Sequence, residues 1–169
     1  MNNFDSTNPT AIAQFVLNNL TKHKQFALGT TDPEKGPWVV CLNLVFDNDL
    51  NFIWKSKTDT LHSNHLIYNS QVAICVFSES EDIGDFGFYA KATAHAVTNE
   101  KELKQCLQVR YAAQGKEMPP MNTFLASADQ RIYIAEISEA WVNDDRHIKL
   151  PVNLQLLRKI VKEYSNNSN

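Results

Sequence analysis

Glycine is scarce, with five residues in a chain of 169. None of the five builds the Gly-x-Gly-x-x-Gly fingerprint of a dinucleotide fold. Gly84-Asp85-Phe86-Gly87 lacks the Gly-Lys-Ser/Thr ending of a phosphate loop, and no Gly-x-Ser-x-Gly elbow marks a serine hydrolase. Cysteine is also sparse. Cys41, Cys75 and Cys106 are odd in number, far apart and set among Val, Leu and Ile, so they form neither a disulfide framework nor a metal-ligand spacing and read as small buried hydrophobes. The longest unbroken apolar run, Val72 to Phe77, falls far short of the roughly 18 residues of a membrane-spanning helix. Met1 to Asp5 has no basic patch followed by an apolar run, so a cytoplasmic location is expected and a membrane partner is not.

An excess of positive charge is missing as well. Sixteen Lys and Arg stand against 19 Asp and Glu, for a net charge of -3. Such a surface offers no general attraction for phosphate backbones, which argues against nucleic acid as a partner. What is present is ordinary globular composition, 43% hydrophobic and 21% charged. The length suits one domain over 1–169 with a single core, and 1–8 and 165–169 are expected to be flexible ends.

Along the chain, Asn8 with Pro9 opens a helix whose apolar face carries Ile12, Phe15, Val16 and Leu20 and which ends near His23. Phe26 to Thr31 reads as a strand leading into the Pro- and Gly-rich turn 32–37. Trp38 to Phe46 alternates, and Asp47-Asn48-Asp49 turns it into Asn51 to Lys55, so these two strands are expected to pair antiparallel. A short helix over Thr60 to Tyr68, a central strand over Gln71 to Phe77 and an acidic loop over Ser78 to Asp85 follow. Phe86 to Val97 alternates strictly, with Phe86, Phe88, Ala90, Ala92, Ala94 and Ala96 on one face and Tyr89, Lys91, Thr93 and His95 on the other. Asn99 with Glu102 opens another helix, Arg131 to Ile137 extends as a strand through Ala140 to Val142, and Leu156, Leu157, Ile160, Val161 and Tyr164 mark a last amphipathic helix. Long crossovers are largely missing. The expected class is therefore a β-rich α+β fold, a closed six-stranded antiparallel barrel with peripheral helices.

The densest polar constellation is Ser56-Lys57-Thr58-Asp59-Thr60-Leu61-His62-Ser63, where a strand ends and a helix begins. Free N–H groups at a helix start, joined by hydroxyls and by Lys57 or His62, suit a phosphate. The simpler alternative is that Thr60 caps the helix and the rest is solvated loop. His62 and His65 have a spacing that can share a metal, but no Cys, Asp or Glu completes a zinc pattern, so two exposed histidines and no metal site are expected. Lys91 and His95 share a strand face, and Trp141 with Arg146 would cover a planar ligand, although Trp141 suits a core position equally.

The order of these elements resembles the FMN-binding split-barrel group, the pyridoxamine 5'-phosphate oxidase-like proteins and a less characterised bacterial branch of them. The resemblance runs from about Ala11 to Lys149 and is anchored on Phe26 to Asp32, Gly36 to Val40, Ser56 to Asn69 and the long strand ending at Val97. It implies a split barrel and FMN as cofactor. Ser56 matches the first hydroxyl of the family's phosphate group, Thr60 the second, Leu61 the position usually Arg, and His62 the position usually Lys or His. The absent Arg removes a bidentate phosphate donor. The backbone of Val39, Val40, Cys41 and Leu42 matches the seat of the flavin ring, and Lys57 and Lys91 complete the expected cofactor-binding set.

Two functions follow. The first is a flavin-dependent oxidoreductase moving electrons between a small-molecule donor and an acceptor; the second is non-catalytic binding, storage or sensing of flavin, deazaflavin or haem. Oxidation of pyridoxamine phosphate itself is disfavoured, because no basic substrate-phosphate residues can be placed. The resemblance also implies a homodimer with the cofactor at its two-fold interface.

Overall fold

The computed structural model describes residues 4–78, 86–144, 146 and 148–167. The acidic loop expected over 78–85 lies, beyond Ser78, outside the described residues.

Helix α1 (Pro9–Leu20) begins where the sequence says it should. The Asn8 side chain accepts hydrogen bonds from the Thr10 and Ala11 N–H groups, and Pro9 occupies the first position, where a missing N–H costs nothing. Phe4, within the segment expected to be flexible, stacks on Phe15 with centroids 4.3 Å apart. Strands β1 (Gln25–Asp32) and β2 (Gly36–Asn43) form a hairpin paired from Gln25↔Asn43 to Asp32↔Gly36. Its turn is built from Asp32, whose carboxylate accepts the Glu34 and Lys35 N–H groups at 2.9 Å, and from Gly36 at φ +77°. Those two amide bonds, Lys35's first, hold the Asp32 carboxyl below its usual range.

Strand β3 (Phe52–Lys57), helix α2 (Leu61–Tyr68), strands β4 (Gln71–Ser78) and β5 (Phe86–Ala96) and helix α3 (Glu100–Ala112) follow. Strand β6 (Gln130–Asn143), the short β7 (Lys149–Pro151) and helix α4 (Leu154–Asn167) complete the described chain. Every pairing is antiparallel, in the order β2-β1-β4-β5-β6-β3, with β7 on β6. The fold is thus α+β, as expected, but with two differences. Among the described residues the strands number seven, and their ladder does not close into a barrel. The expected pairing of 38–46 with 51–55 is not formed either. β2 is already paired along its whole length with β1, and β3 pairs with β6 from Phe52↔Ala135 to Lys57↔Gln130. Between the end of β2 and β3 there remain the bridge Phe46↔Phe52, with the Ile53 N–H to Val45 carbonyl bond at 2.9 Å and the Asp47 N–H to Asn51 carbonyl bond at 3.1 Å. On this margin the buried Arg110 guanidinium donates to the Ile53 carbonyl at 3.3 Å, supplying a donor to the strand edge.

The alternating residues of β5 behave as read. Phe86, Phe88, Ala90, Ala92 and Ala94 are buried, and Lys91, Thr93 and His95 are exposed. Aromatics fill the interior: Phe26 meets Phe52 edge-on at 5.1 Å and Trp54 stacks on Tyr133 at 5.5 Å. Removing one such ring costs about 3–5 kcal/mol. Helices α1 and α4 add Val16, Leu17, Leu157 and Val161 to this core, while α3 lays Leu103, Cys106 and Leu107 on Ile53, Ile132 and Ile134 of the other face of β3 and β6. The cysteines do not share one environment. Only Cys106 is buried, its thiol pushed up to about 12 by burial; Cys75 is half-buried and Cys41 exposed, because β2 leaves its outer face uncovered. Among the described residues no helix is long and apolar enough to cross a membrane.

Candidate functional site

Nine polar or charged residues are buried among those described, and six of them, Thr30, Asp32, Ser56, His62, Ser63 and His65, gather around α2. Buried polar groups are costly unless paired, so such a cluster in one place marks a site. The expected pair of exposed histidines is overturned: His62 is 5% and His65 1% exposed. The sequence reading failed there because a helix of eight residues with little apolar periodicity does not reveal which face it buries.

The network is specific. His62 Nε2 lies 2.7 Å from Ser56 Oγ and 3.2 Å from Thr60 Oγ1. Thr60 Oγ1 reaches Ser63 Oγ at 2.8 Å, and Ser63 Oγ donates to the Lys57 carbonyl at 2.8 Å. His65 Nδ1 meets Thr30 Oγ1 of β1 at 3.1 Å, while His65 Nε2 is buried with no hydrogen-bond partner. Burial first, and the neighbouring His65 second, push the His62 pKa below its ordinary value, so the free protein holds this imidazole neutral around pH 7.

Thr60 stands at the N-cap position of α2 with extended backbone, yet its side chain makes no capping bond. Its hydroxyl is turned instead toward the Lys57 carbonyl, Ser63 and His62. The first intrahelical bond runs from Asn64 N–H to Thr60 O, so the N–H groups of the first turn precede it with no side-chain cap. A capped start in solvated loop, the simpler reading, does not describe this geometry. Leu61, where the resemblance leads one to look for Arg, is exposed and brings no charge.

The remaining expected residues divide. Of the segment Val39 to Leu42, Val40 and Leu42 pack against the core while Val39 and Cys41 are exposed. Lys57 is exposed beside the network. Lys91 stands elsewhere, in an open cleft of about 350 Å³ lined by Ala27, Gly29, Val39, Ala73, Tyr89 and Trp141, with Cys75 and Lys149. It pairs with Glu139 at 3.2 Å and lies 5.5 Å over the Trp141 ring. Consecutive residues of β1 face these two places: Gly29 lines the cleft and Thr30 the buried network. Strand β1 is therefore a wall between them. His95 pairs with Glu102 at 3.6 Å and Arg146 with Asp144 at 2.6 Å. Among the described residues no three His, Cys, Asp or Glu side chains are placed to hold a metal.

Thr30 and Lys149 were missed from the sequence. Alternation along β1 held the signal for Thr30, which falls on the face of Phe26 and Leu28. No local signal brings Lys149 into the cleft, because a three-residue strand places it there.

Comparison with known proteins agrees with this architecture. A candidate pyridoxamine 5'-phosphate oxidase of Listeria innocua superposes with TM-score 0.60 at 11% identity, over 78% of this chain and 97% of that one. A haem-binding protein of Mycobacterium smegmatis gives 0.64 at 11% identity, over 90% of this chain and 60% of that one. ChuZ of Campylobacter jejuni gives 0.63 at 10% identity, over 86% and 64%. At these identities the likeness is one of fold. No curated protein matches the chain in sequence. The profile of the family described as pyridoxamine 5'-phosphate oxidase matches residues 12–135, which is most of the chain, and the protein belongs to that family.

Proposed function

We propose that this protein binds FMN and works as a flavin-dependent oxidoreductase on a small molecule. The observation that carries the reading is the uncapped start of α2, ringed by the hydroxyls of Ser56, Thr60 and Ser63 and the imidazole of His62. These donors fit a terminal phosphate. Ser56, Thr60 and His62 would hold its oxygens, Lys57 would add charge at the rim, and the backbone of Val39 to Leu42 would support the ring. Bound FMN supplies two-electron transfer. The chain's contribution is to fix the phosphate at α2 and to keep the ring on β2, with Leu61 giving the helix start no guanidinium. FMN is preferred over FAD because the hydroxyl-lined helix start suits a terminal phosphate dianion and the chain has no dinucleotide fingerprint. The assembly is proposed to be a homodimer, since Val39 and Phe77 leave large apolar side chains exposed, at 64% and 60%.

The test is reconstitution of the purified protein with FMN. Quenching of flavin fluorescence with a stable yellow protein supports binding. Bleaching by a nicotinamide dinucleotide or another small reductant without oxygen, followed by turnover with an acceptor, supports catalysis. A protein that leaves FMN fluorescence unchanged contradicts the reading.

A second reading, non-catalytic haem binding, is favoured by the cleft beyond β1. Its lining is mostly apolar and includes Tyr89 and Trp141, and Lys149, 4.5 Å over the Tyr89 ring, and Lys91, exchanging its bond to Glu139, would pair with two carboxylates. One relative in fold, the Mycobacterium smegmatis protein, is haem-binding. A haem Soret band that shifts on mixing with the protein, and is lost when Lys91 and Lys149 are both changed to Ala, supports this reading over the first.

A further inference from the structure

We propose that Arg131 is the guanidinium of the phosphate site, supplied from β6 in place of the arginine that Leu61 does not provide. The inference rests on the FMN reading and adds to it a binding residue outside the family motif. In the β3–β6 ladder Trp54 pairs with Tyr133 and Ser56 with Arg131. The Trp54 and Tyr133 rings stack at 5.5 Å, which shows that these positions present their side chains on a common face. One step of two residues further, Ser56 and Arg131 share that same face, and directly opposed Cβ atoms stand about 4.5–5.5 Å apart. Arg131 is thus the cross-strand partner of Ser56, whose hydroxyl His62 Nε2 contacts at 2.7 Å.

The guanidinium is held rather than loose. Its Nη1 donates to the Ala128 and Gln130 carbonyls at 2.7 and 2.8 Å, and its Nη2 to the Ala126 carbonyl. These bonds use three of the five N–H donors an arginine carries and leave two for a ligand. The same loop is tied to the start of the site, since the Asp129 carbonyl accepts from Thr58 N–H at 2.8 Å and from Thr58 Oγ1 at 3.3 Å. No carboxylate pairs with Arg131 among the described residues. A fixed cation without a carboxylate partner, carried on the strand position opposite the Ser56 hydroxyl, has the chemistry that recognises a phosphate monoester. Lysine would carry the charge without the planar fork that satisfies the loop.

The experiment compares FMN with riboflavin, which lacks only the phosphate, by calorimetric titration of the whole protein, Arg131→Lys and Arg131→Met. The wild type is expected to favour FMN. Arg131→Met should lower FMN affinity by about 10- to 100-fold, the equivalent of one charged hydrogen bond, and leave riboflavin within about twofold. Arg131→Lys should fall between the two. Loss of affinity for both ligands by the same factor would mean that Arg131 only staples the loop, and this overturns the proposal. An undiminished FMN preference in Arg131→Met overturns it while leaving the FMN reading intact. A wild type that does not distinguish FMN from riboflavin removes the phosphate site itself and this proposal with it.

Discussion

His62 Nε2 lies 2.7 Å from Ser56 Oγ, inside the protein, and six residues of sequence separate a strand side chain from a helix side chain that now act as one polar unit. Because this imidazole is buried and kept neutral, its protonation is linked to stability. Its folded pKa lies below the unfolded value of about 6.5, so between the two the unfolded chain binds more protons and stability rises with pH. The ligand-free protein is expected to lose stability as pH falls from about 7 toward the folded pKa, and His62→Gln to lose less over the same interval. Thermal melts of both proteins between pH 8 and 5 check this.

A bound phosphate dianion reverses the preference, because it favours the imidazolium. FMN affinity is therefore expected to weaken as pH rises from about 6 to 9, with a smaller dependence in His62→Ala. Calorimetric titration across that range measures it, and an equal slope in both proteins would assign the dependence elsewhere.

The two residues also differ in weight. Thr60→Ala removes a neutral hydrogen bond, about 0.5–1.5 kcal/mol of FMN binding, whereas His62→Ala removes up to about 1.5–3 kcal/mol when the imidazole is charged. The expected order of affinity at pH 6.5 is wild type, Thr60→Ala, His62→Ala. Titrations at one pH establish the order.

The thiols should react in sequence. Cys41 is exposed and alkylates first, Cys75 is half-buried and follows, and Cys106, with its thiol raised to about 12, stays unmodified until the protein is denatured. Mass spectrometry after timed iodoacetamide treatment at pH 8 reads the order directly.

Local chemistry made much of this fold legible. Asn8 and Asn99 both cap the helices they announce, and the alternation of β5 separates Phe86 to Ala94 from Lys91 and His95 as the pattern says. What the sequence withheld was long-range. The Asp47 to Asp49 turn exists, but turning a chain does not decide which strand it joins, and β3 finds its partner about 80 residues away at Ile132 and Tyr133. The three-residue β7 is too short to carry a pattern. The constellation from Ser56 to Ser63 was visible as a site, while its depth was not, since the burial of His62 and His65 depends on α2 packing against β1 at Thr30. The opposition of Ser56 and Arg131 likewise exists only once β3 and β6 are in register.

The most direct measurement of the account is the ratio of FMN to riboflavin affinity for the purified protein at pH 7. If the α2 start holds the cofactor's phosphate, FMN binds at least about tenfold more tightly, the worth of one charge-assisted contact. Equal affinity for the two, or no binding of either, contradicts the account.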